Sequence, residues 1–178
     1  MDLSKRMQEL FGTGGKLCVE AELSLRHLVP DEKGGVISQD GVRCKEIKKD
    51  KRTVRRCVTD AFVALLVDTL QASQAAFSTF KYHDSGTGTV AEAATDTILG
   101  TPCAEARDAG TQIEGATSNI YKSVATHTYA AAFAITEHGL FSAATLGTLM
   151  DRSVFAAVNV ANTEKIEFTY QLTVNAGG

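Results

Sequence analysis

The stretch KIEFTYQLTVN, residues 165–175, decides the fold class of this chain. Apolar and polar side chains alternate along it, and this period of two is that of a β-strand with one buried and one solvated face. Thr, Val, Tyr and Phe, which favour strands, are enriched in it. Its apolar positions are Ile166, Phe168, Tyr170, Leu172 and Val174. The same alternation in KLCVEAELSLRHL, residues 16–28, predicts a second strand of this kind.

Further strand-like segments are spread over the second half of the chain. Residues 77–84, 119–135 and 148–160 have the composition of strands. Residues 85–118 are rich in Gly, Thr and Ala without a steady period, and they predict loops with short extended pieces.

Two segments have helical periodicity instead. TDAFVALLVDTLQAS predicts a helix over about residues 59–72, with Thr59 or Asp60 as the cap of its first turn. The apolar face of this helix consists of Phe62, Leu65, Leu66, Thr69 and Leu70. Residues 2–11 predict a short amphipathic helix within an N-terminal arm, residues 1–15. The apolar face of the arm is a candidate partner contact, and it consists of Leu3, Met7, Leu10 and Phe11.

The order of these segments predicts a mainly β protein. We expect an antiparallel β-sandwich, jelly-roll-like, with an N-terminal helical arm and one packed helix. The sandwich would occupy residues 16–178 as a single domain, a size that suits the 178-residue chain. No apolar run approaches the length of a membrane span, so no membrane partner is expected. The first residues lack the apolar core of a signal peptide, which favours assembly in a cytoplasm.

Charge is distributed unevenly along the chain. Between Arg43 and Arg56 eight of fourteen residues are basic and two are acidic, although the whole chain carries a net charge of −3. This basic run predicts a hairpin, residues 43–56, with a charged turn near Lys49 and Asp50. It is either a solvated surface or a patch for an acidic protein neighbour, and nucleic acid is disfavoured because no aromatic residue is interleaved. The candidate contact residues are Arg43, Lys45, Lys48, Lys49, Lys51, Arg52, Arg55 and Arg56.

The stretch ITEHGLF, residues 135–141, allows two interpretations. Glu137 beside His138 suggests acid–base chemistry, but adjacent side chains diverge on a strand. Gly139 suits a turn position with positive φ. The stretch therefore predicts a structural corner rather than an active site. The residues of this corner are Thr136, Glu137, Gly139, Leu140 and Phe141.

The remaining chemistry-bearing residues indicate no site. His83, Asp84 and Ser85 are consecutive, whereas a catalytic triad needs a base that reaches both the nucleophile and an orienting group. The four histidines are far apart in sequence, and the four cysteines lack the paired spacing of zinc ligands. Cys44 and Cys57 could face each other across the hairpin, but free thiols are favoured. We expect no catalytic, cofactor-binding or metal-binding residues, no cofactor and no enzyme activity.

Four segments occur in an order that carries a family resemblance. They are KYHDSGTGTVAEAATDTILGTP from Lys81, AITEHGLFSA from Ala134, GTLMDRSVFAAVNV from Gly147 and KIEFTYQLTVNAGG from Lys165. Together they resemble a group of small structural proteins of tailed bacteriophages. The TEHGLF element is also similar to one in the N-terminal domains of phage tail and tail-collar fibre proteins.

The resemblance implies a virion structural protein of β-sandwich type with no active site. We expect a head decoration or cement protein that forms a homo-oligomer, a trimer or a dimer. Its partners would be its own copies and other virion proteins, above all the major capsid protein. A tail adaptor or the base of a short tail fibre is the alternative within the family. A small hydrolase that uses His83, Asp84 and Glu137 is the remote alternative from another class.

Overall fold

The computed structural model describes residues 18–70 and 77–175. The N-terminal arm, residues 1–15, lies outside the described residues, together with its candidate contacts Leu3, Met7, Leu10 and Phe11. The backbone of Arg52, Arg55 and Arg56 is described, but their side chains are not.

Ten β-strands and one α-helix make up the described part of the chain. A single 3-10 turn at Phe77–Thr79 separates the helix from the fourth strand. In chain order the elements are β1 (Cys18–Pro30), β2 (Val36–Ile37), β3 (Arg43–Val58), α1 (Asp60–Leu70), β4 (Tyr82–Gly86), β5 (Asp108–Ala109), β6 (Thr111–Glu114), β7 (Ile120–Thr128), β8 (Phe133–Phe141), β9 (Leu149–Val160) and β10 (Lys165–Asn175).

The strands form two antiparallel sheets packed face to face. The first sheet has the order β6-β7-β10-β1-β3, with β2 paired to the start of β3. The second has the order β5-β4-β8-β9 and ends on the last two residues of β3. The mainly β, antiparallel sandwich expected from the sequence is therefore confirmed. Within the described residues, no helix is both long enough and apolar enough to cross a bilayer.

The chain passes directly from one sheet to the other at both sides of the sandwich. On one side β3 pairs with β1 and then, through Cys57 and Val58, with β9. On the other side Gly110 alone separates β5 of the second sheet from β6 of the first. A Cβ atom at Gly110 would lie 2.5 Å from Ser123 Oγ, so this crossing needs glycine. The two sheets are thus joined through the chain at both sides of the sandwich.

The alternation along β10 and β1 builds the core between the sheets. Ile166, Phe168 and Tyr170 of β10 are fully buried, as expected from the pattern that fixed the fold class. Leu23 and Leu25 of β1 join two of them in the larger core cluster. The other members of that cluster are Tyr129, Ile135, Phe155, Val158 and Val160.

Helix α1 closes one end of the sandwich. Thr59 is its cap, since its Oγ1 accepts a hydrogen bond from the Phe62 amide at 3.3 Å and its carbonyl accepts one from the same amide. Phe62 packs edge-on against Phe80 with ring centroids 5.4 Å apart, in a second core cluster that includes Tyr170. The helix expected over about residues 59–72 is present as Asp60–Leu70, and residues 71 and 72 lie outside the described part.

The basic run 43–56 does not form the expected hairpin. It lies within one continuous strand, β3, paired along β1. Leu25 pairs with Arg52 and His27 with Ile47, so residues 48–51 form a bulge where a turn was expected. Asp50 anchors the bulge, because its Oδ2 lies 2.9 Å from His27 Nδ1. The expectation was wrong because charged residues without Gly or Asn do not reverse a chain that has a long partner strand.

The expected corner at residues 136–141 is also wrong. Thr136, Glu137, Gly139, Leu140 and Phe141 lie inside β8, paired with β4 and β9. The described glycines with positive φ are at positions 41 and 147, and position 139 is extended. Glycine at 139 serves close packing instead: a Cβ there would lie 2.9 Å from both Leu99 Cδ2 and Phe141 Cε2. Gly147, between β8 and β9, has a φ of 76°, a conformation that favours glycine.

Candidate functional site

The principal polar site is built around the buried carboxylate of Glu137 on β8. Its side chain is fully shielded from solvent, under the loop that connects β4 to β5. Oε1 accepts hydrogen bonds from the amides of Gly88 at 3.0 Å and Thr101 at 2.6 Å, and Oε2 accepts one from the amide of Gly100 at 2.9 Å. One carboxylate therefore holds both ends of loop 87–101.

Arg152 of β9 completes this site. It pairs in register with Gly139, two residues after Glu137 on β8, and is 3% exposed. Its Nε donates to Glu137 Oε2 at 2.9 Å and its Nη1 donates to Asp96 Oδ2 at 2.9 Å. Its Nη2 donates to the Val90 carbonyl at 3.1 Å. We call Asp96, Glu137 and Arg152 the loop clamp, because each of them binds loop 87–101 or belongs to it.

The electrostatics of the loop clamp keep all three groups charged. Burial alone would raise the pKa of Glu137, but the amides of Thr101 and Gly100 and the Arg152 guanidinium outweigh it and hold that pKa below its usual range. The pKa of Asp96 is likewise lowered, because the Ala93 amide and Arg152 overcome its burial. The pKa of Arg152 is raised by its two carboxylates in spite of burial.

Small residues in the loop make the close approach to Glu137 possible. A Cβ atom at Gly88 would lie 2.4 Å from Glu137 Oε1, and one at Gly86 would lie 2.6 Å from the same oxygen. Thr136 Oγ1 donates a hydrogen bond to the Gly88 carbonyl at 2.8 Å. The G-T-G sequence at 86–88 is thus required by packing around a carboxylate.

The chemistry of the loop clamp is that of an anchor. Glu137 accepts three amide hydrogen bonds and two contacts from the Arg152 guanidinium, with Nη2 at 2.8 Å from Oε2. A fully buried carboxylate saturated in this way serves poorly as a base for an external substrate. The clamp instead fixes a surface loop whose tips, Val90 and Ile98, are 76% and 68% exposed.

A second polar cluster lies in the interior between the sheets. His83 Nδ1 of β4 lies 2.9 Å from His138 Nε2 of β8, and His83 Nε2 lies 2.8 Å from Ser123 Oγ of β7. Burial, and then the neighbouring charge of His127, lowers the pKa of His83 to about 3. His83 is therefore neutral at pH 7 and links the second sheet to the first. The sequence did not reveal the contact of His83 with His138, because the two residues are 55 positions apart. The pairing of β4 with β8 creates it.

The residues of the hydrolase alternative have separate partners. Asp84 Oδ2 accepts a hydrogen bond from Arg107 Nε at 3.0 Å, and Ser85 Oγ lies 3.0 Å from the Tyr129 hydroxyl. His83 contacts neither, since consecutive side chains on β4 diverge as expected. Glu137 belongs to the loop clamp. The structure does not bring these residues together as a catalytic group.

Metal-ligating side chains are likewise dispersed among the described residues. Over residues 18–70 and 77–175, no three His, Cys, Asp or Glu side chains gather as a metal site. Cys44 and Cys103 are free thiols, so Cys44 is not bonded to Cys57. Burial raises the pKa of the Cys103 thiol to about 11, which leaves it protonated at neutral pH.

The basic strand β3 presents its lysines to solvent. The side chains of Arg43, Lys45, Lys48, Lys49 and Lys51 are exposed. The two acidic residues of the run are engaged by β1: Glu46 lies 3.7 Å from Arg26, and Asp50 contacts His27. Positive charge therefore accumulates along this strand, as the sequence indicated, although on a strand rather than a hairpin.

The loop clamp was missed by reasoning from sequence. Its three members are separated by 41 and 15 positions, and only the pairing of β8 with β9 brings two of them together. A usable signal existed in the Gly86 and Gly88 pair, which points to a close approach of some other group.

No protein-family model, curated protein or solved structure matches the chain.

Proposed function

We propose that this protein is a non-enzymatic structural component of a tailed-phage virion, and that it acts as a homo-oligomer. Within that class we favour a head decoration or cement protein, which binds the major capsid protein and stabilises the assembled head. It would be made in the host cytoplasm and reside in the virion.

One observation carries the proposal. The segments on which the phage resemblance depends supply the three members of the loop clamp: Asp96 from the first, Glu137 from the TEHGLF element and Arg152 from the GTLMDRSVF element. Their spacing in sequence thus has one physical reason, the anchoring of loop 87–101. This supports a shared structural role over a chance similarity of short motifs.

The form of the loop suits an assembly protein. A buried ion pair contributes little net stability compared with apolar packing, so its usual benefit is to fix one arrangement. Here the arrangement that it fixes is a surface loop with exposed apolar side chains at Val90 and Ile98. Rigid apolar tips lose little conformational entropy on contact with a neighbouring subunit.

The basic strand supports a second, electrostatic contact. Outside the run Arg43–Arg56 the chain has 10 basic and 19 acidic residues, so positive charge is concentrated on β3. Complementary charge on a capsid surface would speed association and set its orientation. Each bound copy would stabilise the assembled head by mass action.

The test is co-sedimentation of the purified protein with phage heads that lack it. We expect saturable binding that weakens as salt rises, because exposed lysines are screened. The Lys48→Glu variant should bind more weakly, whereas Lys33→Glu, the same change at an exposed site outside β3, should bind as the parent does. Binding to tails alone would favour the adaptor or fibre-base alternative, and binding to neither would refute the proposal.

A further inference from the structure

Strand β6 is a free edge of the first sheet. It pairs with β7 on one side, and among residues 18–70 and 77–175 no strand pairs with its other side. Such an edge offers backbone N–H and C=O groups to another chain, and proteins commonly block it with lysine, proline or a bulge. Strand β6, with the sequence TQIE, contains neither of these residues, and its register with β7 is continuous. Its outer side is therefore open to a further strand.

The backbone groups of Gln112 and Glu114 point to this open side. The Gly115 amide donates a hydrogen bond to the Ile120 carbonyl at 2.8 Å, which makes these two residues a hydrogen-bonded pair of the ladder. Hydrogen-bonded and non-hydrogen-bonded pairs alternate along antiparallel strands. In the register of β6 with β7, Ile113 is therefore bonded to β7, whereas Gln112 and Glu114 are not. The N–H and C=O groups of these last two residues face away from the sheet.

We propose that this edge pairs with β6 of a second copy of the chain, as an antiparallel dimer with two-fold symmetry. The proposal rests on the homo-oligomer of the proposed function and names the contact that forms it. Pairing centred on Ile113 places Gln112 of each copy opposite Glu114 of the other. Each of these pairs exchanges two backbone hydrogen bonds, so every outward N–H and C=O group of the two residues has a partner.

The side chains of β6 suit this register. Ile113 is 47% exposed, and it would lie beside Ile113 of the second copy in a non-hydrogen-bonded pair, with Cα atoms about 4.5 Å apart. Contact between two β-branched side chains at this spacing stabilises a sheet. Glu114 would face the neutral Gln112, whereas a register centred on Glu114 would place two carboxylates opposite each other. The pairing centred on Ile113 is therefore the favoured one.

The described residues leave room for the second strand. An open groove of about 420 Å³ lies beside the edge, and its lining includes Ile113, Ile120 and Val174. Val174 is 37% exposed, so the groove offers apolar surface that a second copy would bury. The contact is small because β6 has four residues, and we expect a weak dimer that forms at high protein concentration.

The first experiment is sedimentation velocity of the full chain over roughly three decades of concentration, since a small interface binds weakly. The parent should pass from monomer to dimer. Ile113→Lys should move this transition to a concentration on the order of tenfold higher, because two lysines would then lie opposite each other. Ile37→Lys is the control, the same change at a 59% exposed site in β2 at the other side of the sheet, and it should have no effect. An unchanged urea midpoint shows that each variant is folded.

The second experiment tests the register by disulfide formation between chains. Ile113→Cys should cross-link under mild oxidation, because a Cα spacing of about 4.5 Å allows a disulfide. Thr111→Cys lies on the same face of β6, but its two copies would be roughly 13 Å apart along the strands. It should cross-link on the order of tenfold more slowly, since that distance cannot be bridged without backbone movement. Peptide mapping identifies the 113–113 bond, so native thiols do not interfere.

Three results would overturn the proposal. They are a parent that stays monomeric, a dimer that Ile113→Lys leaves unchanged, and equal rates of cross-linking at positions 111 and 113. Failure of this dimer is distinguishable from failure of the virion role. A monomer that binds phage heads would refute only the dimer, whereas a dimer that binds neither heads nor tails would support the dimer and refute the virion role.

Discussion

Replacing Glu137 by Gln should destabilise the protein far more than the exchange of one carboxylate oxygen for an NH₂ group suggests. Gln keeps an acceptor oxygen for the amides of Gly88 and Thr101, but its NH₂ group then faces the Gly100 amide and the Arg152 guanidinium, which are all donors. Removing one partner of a buried ion pair costs about 3–5 kcal/mol. We expect a loss in the free energy of unfolding within that range, with Asp96 keeping part of the pairing to Arg152.

The assay is urea unfolding at pH 7, with the midpoint compared at constant m. Glu114→Gln is the matched control, an exposed site where we expect a change of less than about 0.5 kcal/mol. Hydrogen exchange should show local loss of protection at the Gly88, Gly100 and Thr101 amides. A Glu137→Gln variant within about 1 kcal/mol of the parent, with these amides still protected, would refute the loop clamp as the anchor of the loop.

Three further predictions concern packing and pH. Gly139→Ala should lower the free energy of unfolding in urea by about 1–3 kcal/mol, because its Cβ would lie 2.9 Å from Leu99 Cδ2. Gly35→Ala is the control and should cause no such loss, because a Cβ there has no atom within 4 Å. Phe62→Ala should cost about 3–5 kcal/mol by the same assay, since the ring is 4% exposed; a cost below about 1 kcal/mol would contradict the packing of α1 on the core. Stability should fall as pH drops below 6.5, because the unfolded chain protonates His83 while the folded chain, with a pKa of about 3, does not. The free energy of unfolding should fall by roughly 1 kcal/mol per pH unit from this cause. Urea unfolding between pH 6.5 and 5 should show a smaller slope for His83→Gln than for the parent.

The acid side of the pH profile has a second cause with the same sign. The pKa of Glu137 and the pKa of Asp96 are both lowered in the folded state. Their contribution is complete above the unfolded pKa of about 4 and is lost as pH falls through the lower folded value. The His83 slope is therefore measured above pH 5, where these carboxylates do not yet titrate.

The parts of the fold that follow a period were predictable from sequence. The alternation in β10 identified Ile166, Phe168 and Tyr170 as core, and all three are fully buried. The cap at Thr59 follows from local chemistry, and it is present. Each of these features depends on a few neighbouring residues.

Features that depend on distant pairing were not predictable in this way. Gly139 was assigned to a turn because glycine tolerates positive φ, whereas its reason is contact with Leu99, forty positions away. The basic run was predicted to be a hairpin because its own residues do not show how far it pairs with β1. Glu137 and Arg152 face each other only through the register of β8 with β9. Local patterns carry no information on such registers, and so the loop clamp emerged only from the fold.

The most direct test of the central proposal is location and copy number in the virion. The proposal assigns the chain to a tailed phage, whose purified particles would be separated into heads and tails. The protein would then be quantified in each fraction by mass spectrometry. The proposal predicts hundreds of copies, all with the heads. A small number of copies with the tails would contradict the decoration role, and absence from both fractions would contradict a structural role in the virion.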